Sequence, residues 1–299
     1  MKQILTSLLM AIAMIFMGAT TAKADVSNEE TGQYVLKCGN VSMTIDAAKG
    51  GKILSFKYDD QEVISQLKWP ESFGSTFWTS PQKEWNWPPV PEFDKQPYTV
   101  KSRSAERLVI SSPVSQRLGL SVAKDFSADA SDGALVVTYS IKNESTEARS
   151  VAPWEITRVP NANGIIFFEA VDSIWPAGLM NFEKSDGASW YLTDEAPQNR
   201  KVNADGRGWL AYSAERLLLV KKFQDLTPHE PAPGEAEVQV YVNRGKTYIE
   251  LESQGAYVSL PPGHSLSWTV RWYLIPLADG ISRKEMLSRV KQTINSSQK

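Results

Sequence analysis

The sequence has few of the residues on which common structural and catalytic devices depend. Cys38 is the single cysteine among 299 residues, so no disulfide bond can form within the chain. The two histidines, His229 and His264, lie far apart and lack the close spacing that is typical of zinc ligands. We therefore expect neither a disulfide framework nor a histidine-based metal site, and we expect no cofactor.

Several functional motifs are also missing. The chain has no G-x-S-x-G motif for a nucleophilic serine and no glycine-rich loop for a phosphate group. Its 32 basic and 34 acidic residues are well mixed, without a basic stripe, which argues against nucleic acid as a partner. After the N-terminus no apolar run is long enough to span a membrane, so we expect no membrane span.

The N-terminus has the composition of a signal peptide. A positive charge precedes a mostly apolar run over residues 4–17, and Ala22-Lys23-Ala24 matches a cleavage site. We therefore predict a signal peptide over residues 1–24 and a single domain over residues 25–299. Cys38 lies too far from the cleavage site to carry the lipid of a lipoprotein. The expected location is periplasmic or secreted.

Alternation with a period of two dominates the rest of the chain and predicts β-strands. It is clearest in GKILSFKYDD, ALVVTYSIKN, EVQVYV and SLSWTVRWYL. Further strands are predicted over residues 98–103, 107–111, 118–126, 150–157, 165–168, 208–213 and 217–223. Only the C-terminus predicts a helix, because Ser282 and Glu285 form a capping box ahead of an apolar stripe. The predicted fold is all-β, a large two-sheet sandwich with one C-terminal helix.

Residues 73–98 (FGSTFWTSPQKEWNWPPVPEFDKQPY) are rich in tryptophan and proline. The segment contains Trp78, Trp85 and Trp87 together with five prolines, and Trp69 lies just upstream. Because proline fixes φ and lacks an N–H donor, we predict an extended, stiff loop and neither a long helix nor a central strand. Its flat aromatic faces suit the apolar faces of sugar rings. The alternative is that the rings pack over the end of the β-core.

A pair of glutamates lies on one predicted strand, YIELESQG. Alternation places Ile249 and Leu251 on one face and Tyr248, Glu250 and Glu252 on the other. Glu252 lies near the strand end, where it can serve as a base or as an acceptor for a hydroxyl. The alternative is an ordinary solvated strand face.

A second charged set lies in APWEITRV. Glu155 and Arg158 lie in this short segment beside Trp154, and a charged pair there can hold sugar hydroxyls. The alternative is a surface ion pair of little energetic weight.

Four segments together resemble the galactose mutarotase-like superfamily. They are GGKILSFKYDDQEVI, FGSTFWTSPQKEWNWPP, APWEITRVP and YIELESQGAYVSLPPGHSLSWTVRWYLIPL. The second and third resemble a bacterial exported family of unknown function within that superfamily. The resemblance covers residues 34–276 and rests mainly on the order of the segments. It implies a β-supersandwich with a sugar-binding cleft on the concave face.

The resemblance also implies roles for individual residues. Active aldose epimerases of this fold use a glutamate as the base on the anomeric hydroxyl and a histidine as the acid on the ring oxygen. The glutamate corresponds to Glu252. The position of the histidine corresponds to Trp154, so this chain departs from the epimerase pattern. His229 is a weak substitute for the acid, and it is otherwise an ordinary loop residue.

The leading hypothesis is an exported protein that binds a mono- or oligosaccharide in a concave cleft by stacking and by hydrogen bonds to hydroxyls. The alternative is an aldose 1-epimerase-like isomerase with Glu252 as the base and an atypical acid. A third hypothesis is a partner-binding module of a cell-envelope assembly, with the aromatic segment as its interface. The predicted substrate-binding residues are Trp78, Trp85, Trp87, Trp154, Glu155 and Arg158.

Overall fold

The computed structural model describes residues 31–69 and 72–296 as two large antiparallel sheets. The predicted signal peptide over residues 1–24 lies outside the described residues. The strands in chain order are β1 (Gln33–Cys38), β2 (Val41–Asp46), β3 (Lys52–Tyr58), β4 (Gln61–Glu62), β5 (Ser75–Ser80), β6 (Thr99–Arg103), β7 (Arg107–Ser111), β8 (Leu120–Asp129), β9 (Ala134–Asn143), β10 (Arg149–Pro160), β11 (Ile165–Phe168), β12 (Glu183–Ser185), β13 (Ala188–Leu192), β14 (Arg200–Ala204), β15 (Trp209–Ala214), β16 (Leu217–Lys222), β17 (Val238–Val242), β18 (Tyr248–Gln254), β19 (Val258–Leu260) and β20 (Ser265–Pro276).

Each sheet contains ten of these strands. The first has the order β1-β2-β3-β5-β10-β18-β17-β14, with β4 beside β3 and β19 beside β10. The second has the order β12-β13-β11-β15-β16-β20-β9-β8-β7-β6. One continuous hydrophobic core includes buried side chains of both sheets. The predicted all-β sandwich is confirmed.

Strand β18 shows how alternation produces the two faces of the first sheet. Ile249 and Leu251 are fully buried in the hydrophobic core, as alternation predicts. Tyr248, Glu250 and Glu252 lie on the opposite face, which points away from the second sheet. Loops around β5 and β14 partly cover this outer face, so its polar side chains are also largely buried.

The C-terminal helix α2 (Arg283–Ser296) begins at the predicted capping box. The backbone N–H of Ser282 donates to the Glu285 carboxylate at 2.9 Å, and the Ser282 hydroxyl donates to the same oxygen at 2.6 Å. Met286, Leu287 and Val290 are buried, and the helix packs beside β16.

A single-turn helix, α1 (Pro91–Asp94), and a 3₁₀ turn over Gln82–Glu84 occur in the proline-rich segment. No helix in the described part of the chain combines the length and apolar character that crossing a membrane requires.

The prediction that residues 73–98 contain no central strand was wrong for β5. This strand pairs with β3 on one side and β10 on the other, and all six of its residues are buried. The prolines explain the error, because the first of them, Pro81, comes directly after the strand ends at Ser80. After Ser80 the backbone is irregular, as the prolines predict, except for the 3₁₀ turn over Gln82–Glu84 and the single-turn helix α1.

Candidate functional site

A cleft of about 440 Å³ opens on the outer face of the first sheet. Its floor consists of side chains from β10, β14, β17 and β18, and the loops on either side of β5 form its walls. The polar side chains of the floor are Lys201, Tyr241, Tyr248, Glu250 and Glu252. The tryptophan side chains of the lining are Trp69, Trp78, Trp87 and Trp154.

The strand register brings the charged side chains together. Arg158 of β10 pairs with Glu250 of β18, Glu250 pairs with Tyr241 of β17, and Tyr241 pairs with Lys201 of β14. Directly paired residues of antiparallel strands project from the same face with their Cβ atoms close together. One row across four strands therefore places a cation, an anion, an aromatic hydroxyl and a second cation side by side on this face of the sheet.

Glu252 lies at the bottom of the cleft and is 1% exposed. One carboxylate oxygen, Oε2, accepts hydrogen bonds from Trp154 Nε1 and Lys201 Nζ, each at 2.9 Å. Burial raises the pKa of Glu252 to about 7, and the nearby Glu250 contributes to this rise, whereas Lys201 and Trp154 oppose it. Burial in the cleft floor thus favours the protonated form of this carboxyl.

Arg158 holds Glu250 from below the cleft. Its guanidinium is 2.7 Å from Glu250 Oε1, and its Cζ atom lies 5.8 Å from the ring centroids of both Trp78 and Tyr248. The side chain is almost completely buried and does not line the cleft, whereas Glu250 does. Arg158 thus fixes the carboxylate of Glu250 at the cleft surface without lining the cleft itself.

Glu155 lies on the opposite face of β10, between the two sheets. Its carboxylate contacts Lys221 Nζ at 2.5 Å and accepts hydrogen bonds from the Tyr139 hydroxyl at 2.5 Å and from Trp272 Nε1 at 3.3 Å. The predicted grouping of Glu155 with Arg158 was wrong. Residues three apart in a strand project from opposite faces, so the two cannot share one site.

The three tryptophans of residues 73–98 have different environments. Trp87 is 59% exposed and lines the cleft, and Trp78 lines it from β5 while largely buried. Trp85 is 1% exposed, donates from Nε1 to the carbonyl of Thr79 at 2.7 Å, and packs edge-on against Trp78. Of these three tryptophans, Trp78 and Trp87 therefore line the cleft and Trp85 does not.

Asp94 of α1 fixes the Trp78 ring. Its Oδ1 accepts hydrogen bonds from Trp78 Nε1 at 2.9 Å and from Thr76 Oγ1 at 2.8 Å, and it forms an ion pair with Lys52 Nζ at 2.7 Å. Burial alone raises the pKa of Asp94, but Lys52 and the two hydrogen bonds outweigh it and hold the pKa below its usual value. The cleft wall therefore rests on a buried charged network.

Three further residues, one predicted and two missed, bear on the sequence predictions. His229 is exposed in the loop between β16 and β17 and does not line the cleft. The sequence predictions missed Lys201 and Tyr241. Tyr241 follows from the alternation in EVQVYV, because it faces away from Val240 and Val242, but the short edge strand that carries Lys201 has no strong pattern.

Comparisons with known proteins bear on the architecture. No protein-family model and no curated protein sequence matches the chain. Among solved structures, a galactose mutarotase-like protein from Clostridium acetobutylicum is 11% identical, with a TM-score of 0.59, over 86% of this chain and 100% of that one. A galactose 1-epimerase from Lactobacillus acidophilus is 12% identical, with a TM-score of 0.53, over 82% of this chain and 95% of that one.

The chain has the galactose mutarotase-like fold. A third structure, a galactose mutarotase-like protein from Lactobacillus casei, agrees, with 10% identity and a TM-score of 0.57 over 82% of this chain and 100% of that one. The fold that the resemblance implied is therefore confirmed. In this mutarotase-like sandwich the cleft lies on the outer face of the sheet that contains β10 and β18.

Proposed function

We propose that the protein binds carbohydrate in the cleft. The observation that carries the proposal is the pairing of an exposed aromatic wall, Trp87, with a polar floor that contains Glu250, Glu252 and Lys201. A sugar ring has an apolar C–H face and a rim of hydroxyls. The apolar face can stack on tryptophan, and the hydroxyls can form hydrogen bonds with charged donors and acceptors.

The cleft has room for such a ligand. Its volume of about 440 Å³ falls within the range of roughly 300–1,000 Å³ that is typical of pockets for small organic ligands. One structural neighbour is a galactose 1-epimerase, an enzyme that acts on a sugar, which adds support.

Export is part of the same proposal. The N-terminal charge, the apolar run and Ala22-Lys23-Ala24 support a cleaved signal peptide and a periplasmic or secreted location. There the ligand would be a sugar or glycan outside the cytoplasm. Sequencing the N-terminus of the protein after expression with its leader tests this, with Asp25 as the expected first residue.

Titration calorimetry with sugars tests the binding proposal through Trp87→Ala. Stacking on an aromatic ring contributes up to about 1.5 kcal/mol beyond area burial, so affinity should fall by about tenfold. Leu192→Ala is the matched control, because Leu192 is equally exposed but lies on β13 of the second sheet. Equal affinities of the wild type and Trp87→Ala would contradict the proposal.

A second candidate function is an aldose 1-epimerase-type isomerase, and the raised pKa of Glu252 favours it. Glu252 would take the proton of the anomeric hydroxyl while an acid protonates the ring oxygen and the C1–O bond breaks. The open aldehyde then closes on its other face, and both protons return. Lys201, in contact with Glu252 inside the cleft, is better placed than His229 to be the acid.

Anomer exchange followed by NMR tests the second candidate. The isomerase would accelerate exchange of a hexose, and Glu252→Gln would abolish the acceleration. An exchange rate in the presence of the wild type that equals the uncatalysed rate would reject the isomerase and leave the binding proposal intact.

A further inference from the structure

Trp175 is an exposed tryptophan that lies beyond the far edge of the cleft. It is 40% exposed and precedes β12. Its backbone N–H donates to the carbonyl of Asn203 at 3.0 Å, and its own carbonyl accepts from the Asn203 N–H at 2.7 Å. These two hydrogen bonds fix Trp175 against β14, the edge strand of the first sheet.

The pairing determines the face from which Trp175 projects. Asn203 is two residues from Lys201 on β14, and residues two apart in a strand share a face. Lys201 lines the cleft, so Asn203 belongs to the cleft face. Trp175 is the antiparallel partner of Asn203 and therefore projects from the same face, one strand position further out.

The distance across the sheet exceeds the length of one sugar. From Trp78 on β5 the order continues through β10, β18, β17 and β14 to Trp175. Five strand spacings amount to about 24 Å. A single hexose that stacks on Trp78 or Trp87 spans well under half of that distance. The floor between the two ends is polar and includes Tyr241, Lys201 and Asn203.

From this arrangement, and resting on the proposed carbohydrate function, we propose that Trp175 forms an outer subsite. The ligand is then an oligosaccharide that occupies the cleft and continues across β14, with one of its outer rings stacked on Trp175. A free monosaccharide would fill only the inner part of this surface.

Calorimetry with ladders of increasing chain length tests the subsite. The probes are glucose and galactose, with malto-, cello- and β-galacto-oligosaccharides of two, four and six units. Affinity of the wild type should rise with chain length. Trp175→Ala should lower the affinity for the longer members by roughly three- to tenfold, as expected for loss of one stacking contact, and leave the monosaccharides unchanged. Trp87→Ala should weaken binding at every length, and Leu192→Ala at none.

The outcomes separate the subsite from the function on which it rests. If affinity does not rise with length, or rises equally in Trp175→Ala, the outer subsite is refuted while binding in the cleft stands. If no member of the ladders binds, or if Trp87→Ala binds every member as well as the wild type, the carbohydrate proposal fails and the subsite fails with it. Circular dichroism and thermal unfolding of Trp175→Ala verify that the variant is folded.

Discussion

Glu252 at the floor of the cleft should make the stability of the protein depend on pH. Its pKa is raised from 4.5 to about 7, mainly by burial. A carboxyl whose pKa is higher in the folded than in the unfolded protein binds its proton more tightly in the folded protein, so its protonation stabilises the fold. Its contribution to stability is complete below pH 4.5 and is lost as the pH rises through 7. Replacing it with glutamine, which stays neutral, should remove this dependence.

The magnitude follows from the pKa values. Each pKa unit corresponds to about 1.4 kcal/mol, so the full change from 4.5 to about 7 destabilises the ionised protein by about 3 kcal/mol. Most of this loss falls between pH 5 and pH 8 and amounts to about 2–3 kcal/mol. Relative to Glu252→Gln, the wild type should therefore lose about that much unfolding free energy over this interval.

Urea denaturation of both proteins at pH 5 and at pH 8 measures the effect. The comparison between the two proteins matters, because the pKa of Glu237 is also raised to about 7 by burial. That second glutamate is present in both proteins, so its contribution cancels in the difference. A difference in unfolding free energy that is the same at both pH values would refute the argument that Glu252 titrates in the cleft.

Other variants probe the core, the cap and the aromatic segment. Lys221→Met leaves Glu155 buried without its cation and should cost about 3–5 kcal/mol in denaturation, most of which the added change Glu155→Met should restore. Ser282→Ala removes the cap of α2 and should cost about 1 kcal/mol, measured by thermal unfolding, whereas an unchanged melting temperature would contradict that role. Trp85→Ala should cost about 3–5 kcal/mol because the ring is buried, but Trp87→Ala should change stability by less than about 0.5 kcal/mol. Equal losses would mean that both rings belong to the core.

The strands were predictable where one face of the strand packs against the core. Alternation identified β9, β18 and β20, and the faces of Ile249 and Glu252 followed from it. Strand β14 was not predicted, because it is an edge strand of only five residues and is too short to show a clear alternating pattern. Strand β5 escaped because its buried residues directly precede a proline-rich segment.

The site was predictable only in part, since its geometry depends on pairing between distant strands. The glutamate strand and the tryptophans are visible as local patterns. The contact between Glu252 and Lys201 joins β18 to β14 across β17, and no local pattern reveals such a neighbour. The position of Glu155, by contrast, was predictable from the sequence. Strict alternation along β10 separates it from Arg158, and the structure places it beside Lys221 between the sheets.

The most direct test of sugar binding in the cleft follows the indole N–H signals of the ten tryptophans by nitrogen-15 NMR, with each signal assigned by substitution. Oligosaccharide should shift the signals of Trp87 and Trp154, because both rings line the cleft. The signals of Trp190 and Trp209, buried within the second sheet, should not move. Shifts confined to tryptophans outside the cleft, or no shifts with any member of the ladders, would contradict binding at this site.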